Sequence, residues 1–158
     1  MKITIIQVSK TKTAYLQSAE NEYLKRLGPY AKIETVTVKS CAGVDSGLAA
    51  RQIAKKKEAE EILKAVPRDS FVIALDETGR QYSSPEFAEI IKKNRDFGGG
   101  DITFITGGSY GLDASVLEKA GLKLSFGKFT YTHEIIRTLL LEQIYRAFTI
   151  IAGKVYHY

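Results

Sequence analysis

The chain has 158 residues, 44% of them apolar and 26% charged, the composition of one soluble globular domain large enough to build its own core. A single cysteine, Cys41, excludes an intrachain disulfide framework or Cys-based metal site, and two histidines, His133 and His157, argue against a His-rich metal centre. No apolar run reaches the roughly 18 residues of a membrane span, and the N-terminus opens into a strand-like run rather than a signal peptide, so a cytoplasmic, membrane-free protein is expected. The net charge of +5 suits a polyanionic partner as well as it suits a merely basic surface.

Lys2 to Val8 reads as a buried strand. Thr13 to Leu27 reads as a helix with Tyr15, Leu16, Ala19, Tyr23 and Leu27 on its inner face, stopped by Gly28-Pro29. Residues 32–38 alternate as a half-exposed strand does, and 41–47 form a small-residue loop expected to be the most flexible segment. Leu48 to Val66 is a charged helix, with Ile53, Ala59, Ile62, Leu63 and Val66 inward and its lysines and glutamates, Glu58 included, largely outward. That charge run reads as a solvated face in preference to an RNA-binding stripe.

Ser70 to Leu75 is a short, continuous apolar strand leading into a turn-rich loop at 76–80. Ser83 and Glu86 have capping-box spacing, with Pro85 in the first turn, so a helix is expected from Pro85 to about Asp96. Strand 102–106, a short helix at 114–120, strand 122–126 and a long terminal helix complete the chain. Strict alternation predicts one α/β domain over 1–158, a sandwich around a mostly parallel sheet covered on both faces.

The loop G-G-S-Y-G at 107–111 is neither a dinucleotide fingerprint nor a P-loop. It reads either as a ligand loop or as a tight turn. His133 opens the terminal helix, where the macrodipole disfavours its charged form, so a neutral imidazole able to accept a proton is expected. Apolar residues cover most of that helix's circumference, from Ile135 to Ile151. One sheet face cannot cover them all, so a homodimer is expected, the other reading being a helix buried within one domain.

Several blocks in order are similar to one family. They are K-I-T-I-I-Q-V, E-Y-L-K-R-L-G-P-Y at 22–30, I-T-G-G-S-Y-G-L at 105–112, L-S-F-G-K-F-T-Y-T-H at 124–133, R-T-L-L-L-E-Q-I-Y-R-A-F at 137–148 and the closing Y-H-Y. The chain resembles, nearly end to end, the RlmH (YbeA-like) family of SPOUT-class RNA methyltransferases. The resemblance implies a C-terminal trefoil knot, a homodimer and a metal-free transfer of a methyl group from S-adenosyl-L-methionine to N3 of a pseudouridine. The substrate so implied is large-subunit (23S) ribosomal RNA in the assembled ribosome.

Carried over residue by residue, the resemblance implies cofactor contacts at Leu75, Gly107, Phe126, Gly127, Lys128, Phe129, Thr130 and Tyr131. It places His157, His133 and Arg137 as catalytic candidates, and Arg146, Tyr156 and Tyr158 against the RNA. Two positions depart from the family pattern: Thr132 stands where proline is usual, and Tyr158 ends the chain where arginine or lysine is usual. The alternative function is a ribosome- or RNA-binding protein without methyl transfer, which the intact F-G-K-F-T-Y segment disfavours.

Overall fold

Lys2–Val8 forms β1, buried on both faces because the strand lies between two others; its apolar residues alternate between the two halves of the core, Ile3 and Ile5 in one, Ile6 and Val8 in the other. The computed structural model describes residues 1–43 and 47–156; residues 44–46 of the loop expected to be flexible, and His157 and Tyr158, lie outside the described residues. After β1 come α1 (Ala14–Leu27), β2 (Lys32–Val38), α2 (Leu48–Ala65), β3 (Phe71–Arg80) and α3 (Ser84–Phe97). β4 (Ile102–Thr106), α4 (Ala114–Lys119), β5 (Leu122–Leu124) and α5 (Ile135–Ile151) follow.

The five strands form one sheet in the order β2-β1-β4-β3-β5, and every pairing is parallel. Parallel neighbours need crossovers, which here are the helices. α1, α3 and α5 pack on one face with Ile3, Ile5, Ile73, Ile102, Phe104 and Leu124. α2 and α4 pack on the other through Ala59, Ile62 and Val116, against Ile6, Val8, Val72, Ala74 and Ile105. The predicted capping box is present at α3, where Glu86 N–H donates to Ser83 Oγ and Ser83 N–H donates to Glu86 Oε2.

Four expectations are corrected. β3 continues through the segment expected to be a loop: Leu75 pairs with Leu124, and after a register shift Arg80 pairs with the same residue. Gly79 permits this, since a Cβ there would lie 2.7 Å from the backbone of Lys123. β5 is correspondingly shorter than expected and ends at Leu124. α2 sits on the sheet through the small residues Ala54 and Ala59, which turns Ile53 outward to 56% exposure and Glu58 inward to 3%. The Glu58 carboxylate is satisfied there by Cys41 N–H at 2.8 Å and Ser40 Oγ at 3.3 Å. α1 packs through its C-terminal half, leaving Tyr15 at its other end 71% exposed.

α5 packs on the sheet between α1 and α3. α1 and α3 cover part of its wide apolar circumference, while Ile136, Leu139, Ile150 and Ile151 stay half-exposed. Leu140, Leu141, Ile144, Ala147 and Phe148 are buried within the described chain, and among its large apolar side chains only Ile135 is exposed.

Candidate cofactor and RNA site

Because β4, β3 and β5 are neighbours and run the same way, the loops that leave their C-terminal ends lie side by side. Open α/β sheets bind ligands at that edge. The loop after β4 closes on itself, Gly111 N–H donating to the Gly108 carbonyl at 3.1 Å, with Ser109 and Tyr110 at the corner. A Cβ on Gly107 would lie 2.7 Å from the carbonyl carbon of Gly111, so the loop's own closure demands glycine there. Just before it, the buried Thr106 hydroxyl has no hydrogen-bond partner among the described residues.

After β5 the chain turns at Gly127, whose φ of 130° is left-handed backbone with open space where a side chain would stand. Ser125 holds that turn, its hydroxyl donating to the Gly127 carbonyl at 2.9 Å and accepting the Gly127 N–H at 3.2 Å. Leu75 and Phe126 are half-buried against the core beneath this edge. Lys128, Phe129, Thr130 and Tyr131 project from it into solvent, Phe129 at 79% exposure. Asp76 and Glu77 lie at the β3 rim, with Asp76 accepting hydrogen bonds from both the backbone and the hydroxyl of Thr78.

The start of α5 is fastened to the loop after β1. Glu134 accepts Lys12 N–H at 2.8 Å and Thr13 N–H at 3.3 Å, and these bonds hold its carboxyl below the usual range, the Thr13 side-chain bond most of all. Arg137 is only 2% exposed and donates to the Val8 carbonyl and, at 3.3 Å, to Thr11 Oγ1. Burial lowers its pKa, partly offset by Glu20, whose own carboxyl is raised by burial. Thr132, in the place where proline is usual, accepts Ile135 N–H on its hydroxyl at 3.3 Å and Ile136 N–H on its carbonyl.

His133 is half-buried, and its pKa is lowered chiefly by that burial and next by the Arg137 charge. The neutral imidazole expected from the helix dipole is therefore favoured, with desolvation as the leading cause. Arg137 shares its neighbourhood, and its terminal nitrogens are turned to the Val8 carbonyl and Thr11, which ties α5 to the β1–α1 loop.

Arg146 and Tyr156 lie at the opposite end of α5, while His157 and Tyr158 are outside the described residues. Arg146 donates to Glu142 at 2.6 and 2.9 Å and to the Tyr156 carbonyl at 3.1 Å, with its guanidinium 4.9 Å from the Tyr156 ring centre. The Tyr156 ring meets Tyr145 edge-on at 4.8 Å, and Tyr23 nearby has its hydroxyl pKa pushed up to about 12 by burial and by a hydrogen bond with Tyr156. Residues 133 and 146 are separated by about 20 Å of helix rise. Within one chain, then, His133 meets the cofactor-edge loops' end of the sheet while Arg146 and Tyr156 do not.

Sequence reasoning missed Thr106, Ser125, Glu58 and Glu134. An acidic residue beside a helix start is a visible signal for Glu134; the other three depend on burial that no local pattern reveals. Two clefts elsewhere, of about 340 Å³ between β2 and the end of α2 and about 260 Å³ between β2, β1 and α1, contain none of the expected cofactor residues, although Arg137 lines the second. Among the described residues, no group of three or more His, Cys, Asp or Glu is placed to hold a metal ion, and no helix is long and apolar enough to cross a membrane.

An all-parallel sheet with three adjoining loops at its C-terminal edge defines an α/β protein built to hold a ligand there. A family model described as predicted SPOUT methyltransferase matches residues 1–157, and the chain belongs to that family. It is 48% identical, over 99% of both chains, to the ribosomal RNA large subunit methyltransferase H of Carboxydothermus hydrogenoformans. A protein of the same name from Clostridium botulinum (strain Kyoto / Type A2) is 44% identical, again over 99% of both. Among solved structures, a probable methyltransferase from Bordetella pertussis Tohama I shares the fold with a TM-score of 0.57 at 15% identity, covering 92% of this chain and 95% of that one. A probable methylase family protein from Haemophilus influenzae Rd KW20 does so at 0.55 and 17%, covering 99% and 70%.

Proposed function

We propose that the protein is an S-adenosyl-L-methionine-dependent methyltransferase of large-subunit ribosomal RNA, acting on N3 of a pseudouridine in the assembled ribosome. The observation that carries this is the three-loop edge, Leu75, Gly107 and Phe126–Tyr131, in a chain matched from end to end by relatives named for that RNA. The edge fits the cofactor chemically. Leu75 and Phe126 offer apolar surface, the Thr106 hydroxyl is buried and unpaired, Gly127 leaves backbone open to approach, and carboxylates at Asp76 and Glu77 suit a cationic sulfonium. The reading includes a cytoplasmic location and the C-terminal trefoil knot.

S-adenosyl-L-methionine supplies an electrophilic methyl group carried on sulfur. Leu75, Gly107, Phe126 and Gly127 would hold and orient it, with Lys128, Phe129, Thr130 and Tyr131 available at the rim of the site. For a ring nitrogen to accept a methyl group its N–H proton must leave. The neutral imidazole of His133 is one acceptor for that proton, and His157 is the other. Holding the two reactants in line supplies much of the remaining acceleration.

His157 directly follows Tyr156, which is docked near Arg146, and one residue spans at most about 3.6 Å. Arg146, against which Tyr156 docks, is separated from His133 by about 20 Å of helix rise within one chain. A homodimer that brings the tail of one protomer to the cofactor edge of its partner removes the difficulty, and this is the assembly proposed. The test is calorimetric binding of S-adenosyl-L-methionine, with methyl transfer to ribosomal RNA measured on assembled ribosomes. Binding with transfer is expected; RNA binding without cofactor binding would instead indicate a protein that only binds the ribosome.

A further inference from the structure

One strongly charged surface is unused by this reading. Over residues 48–57 α2 reads L-A-A-R-Q-I-A-K-K-K, with Arg51, Lys55, Lys56 and Lys57 and no acid, whereas Glu60 and Glu61 lie further along. Arg51, Lys56 and Lys57 are exposed and Lys55 is half-exposed. Among the described residues none of the four is in an ion pair. The field of Lys55 and Lys56 reaches Asp113 and helps to hold its carboxyl low, after the bonds from Ser115, but that carboxylate is already engaged by the Ser115 N–H and hydroxyl.

This order of charge opposes the helix itself. The first turn of a helix carries the positive end of the macrodipole and favours acids; α2 has none there, and Arg51 at its edge adds to the positive potential. The surface is also placed at the site. α2 begins where β2 ends, at the same edge of the parallel sheet as the cofactor loops, and the Arg51 guanidinium lies 5.4 Å from the ring centre of Tyr110 in the 107–111 loop. Ile53, 56% exposed, interrupts the cations with apolar surface.

We propose that the N-terminal half of α2, with Arg51 beside Tyr110 and Lys55, Lys56 and Lys57 spread around its exposed circumference, holds the sugar–phosphate backbone of the ribosomal RNA beside the target base. The inference rests on the methyltransferase reading and deepens it. Lysines on a helix flank neutralise phosphates without reading sequence, and displaced counterions make such binding steeply salt-dependent. Tyr110, held by Arg51, couples the phosphate-binding face to the loop that lines the cofactor.

The test compares the full-length protein with a triple variant, Lys55→Gln, Lys56→Gln and Lys57→Gln, whose replacements keep good helix propensity. A control carries Lys92→Gln and Lys93→Gln on α3, across the sheet. Binding to isolated large ribosomal subunits is measured from about 50 to 200 mM salt, with cofactor affinity by calorimetry and methyl transfer alongside. The triple variant is expected to bind about tenfold more weakly at 100 mM salt, with its log–log salt slope shallower by about 2. Cofactor affinity and the control are expected to match the unaltered protein. An unchanged slope overturns the proposal and leaves the face for a protein partner or for solvent, as does an equal loss in the control. Failure of the unaltered protein to transfer methyl groups would overturn the enzyme reading instead, a result the salt slope does not depend on.

Discussion

Gly107 and Gly127 stand at the same edge of the sheet for different physical reasons. At Gly107 the limit is space: a Cβ would press on the Gly111 backbone at 2.7 Å. At Gly127 space is open and the limit is the left-handed φ of 130°. Gly107→Ala should therefore force the 107–111 loop apart, costing about 1–3 kcal/mol in denaturant unfolding and weakening cofactor binding severalfold by calorimetry. Unaltered cofactor affinity in the folded variant would remove this loop from the site. His133 makes a second prediction at this scale. Its folded pKa lies below the ordinary 6.5, so the unfolded chain takes up the proton first as pH falls. The stability His133 contributes is complete above pH 6.5 and is lost as the pH falls through the lower folded value. His133→Gln should flatten that part of the unfolding-versus-pH curve; a curve parallel to that of the unaltered protein would assign the loss to other groups.

At the scale of elements, α5 connects the two ends of the sheet. Its first turn is tied to the β1–α1 loop by Glu134 and Arg137, and its last turns carry Arg146 and the docked Tyr156. Arg137→Met keeps the length of the side chain but removes the donors to the Val8 carbonyl and Thr11. A loss on the order of 2 kcal/mol in urea is expected, because hydrogen bonds from a charged donor are among the stronger ones and their acceptors would be left unpaired. If Arg137 only positions the loop, Arg137→Lys should recover much of that stability and of the transfer rate together. A lysine variant that is as stable as the unaltered protein yet inactive would show that the guanidinium itself meets the substrate.

For the whole molecule, the separation of His133 from Tyr156 is the feature with the largest consequence. A dimer is expected by light scattering at micromolar concentration. Protomers lacking residues 155–158 should keep cofactor affinity but lose methyl transfer. Mixed with protomers carrying Gly107→Val, which retain the tail but not the loop, they should regain activity, since one kind of mixed site then has both parts. No recovery on mixing, from chains shown to exchange, would place the tail in its own chain's site.

Periodicity and punctuation carried the fold a long way: ten elements in order, the capping box at Ser83, the stop at Gly28-Pro29 and the parallel sheet all follow from local chemistry that acts within a few residues. The resemblance carried the family. Tertiary structure alone decided which face of α2 turns inward, because two alanines approach a sheet more closely than Ile53 can and Cys41 N–H is there to satisfy Glu58. It alone extended β3 to Arg80, where Gly79 lies against a strand more than 40 residues away. It also set α5 between α1 and α3 and turned Arg137 and Arg146 toward protein groups. Burial, unlike helical or strand period, is a property of what lies across the core, and those partners are far apart along the chain.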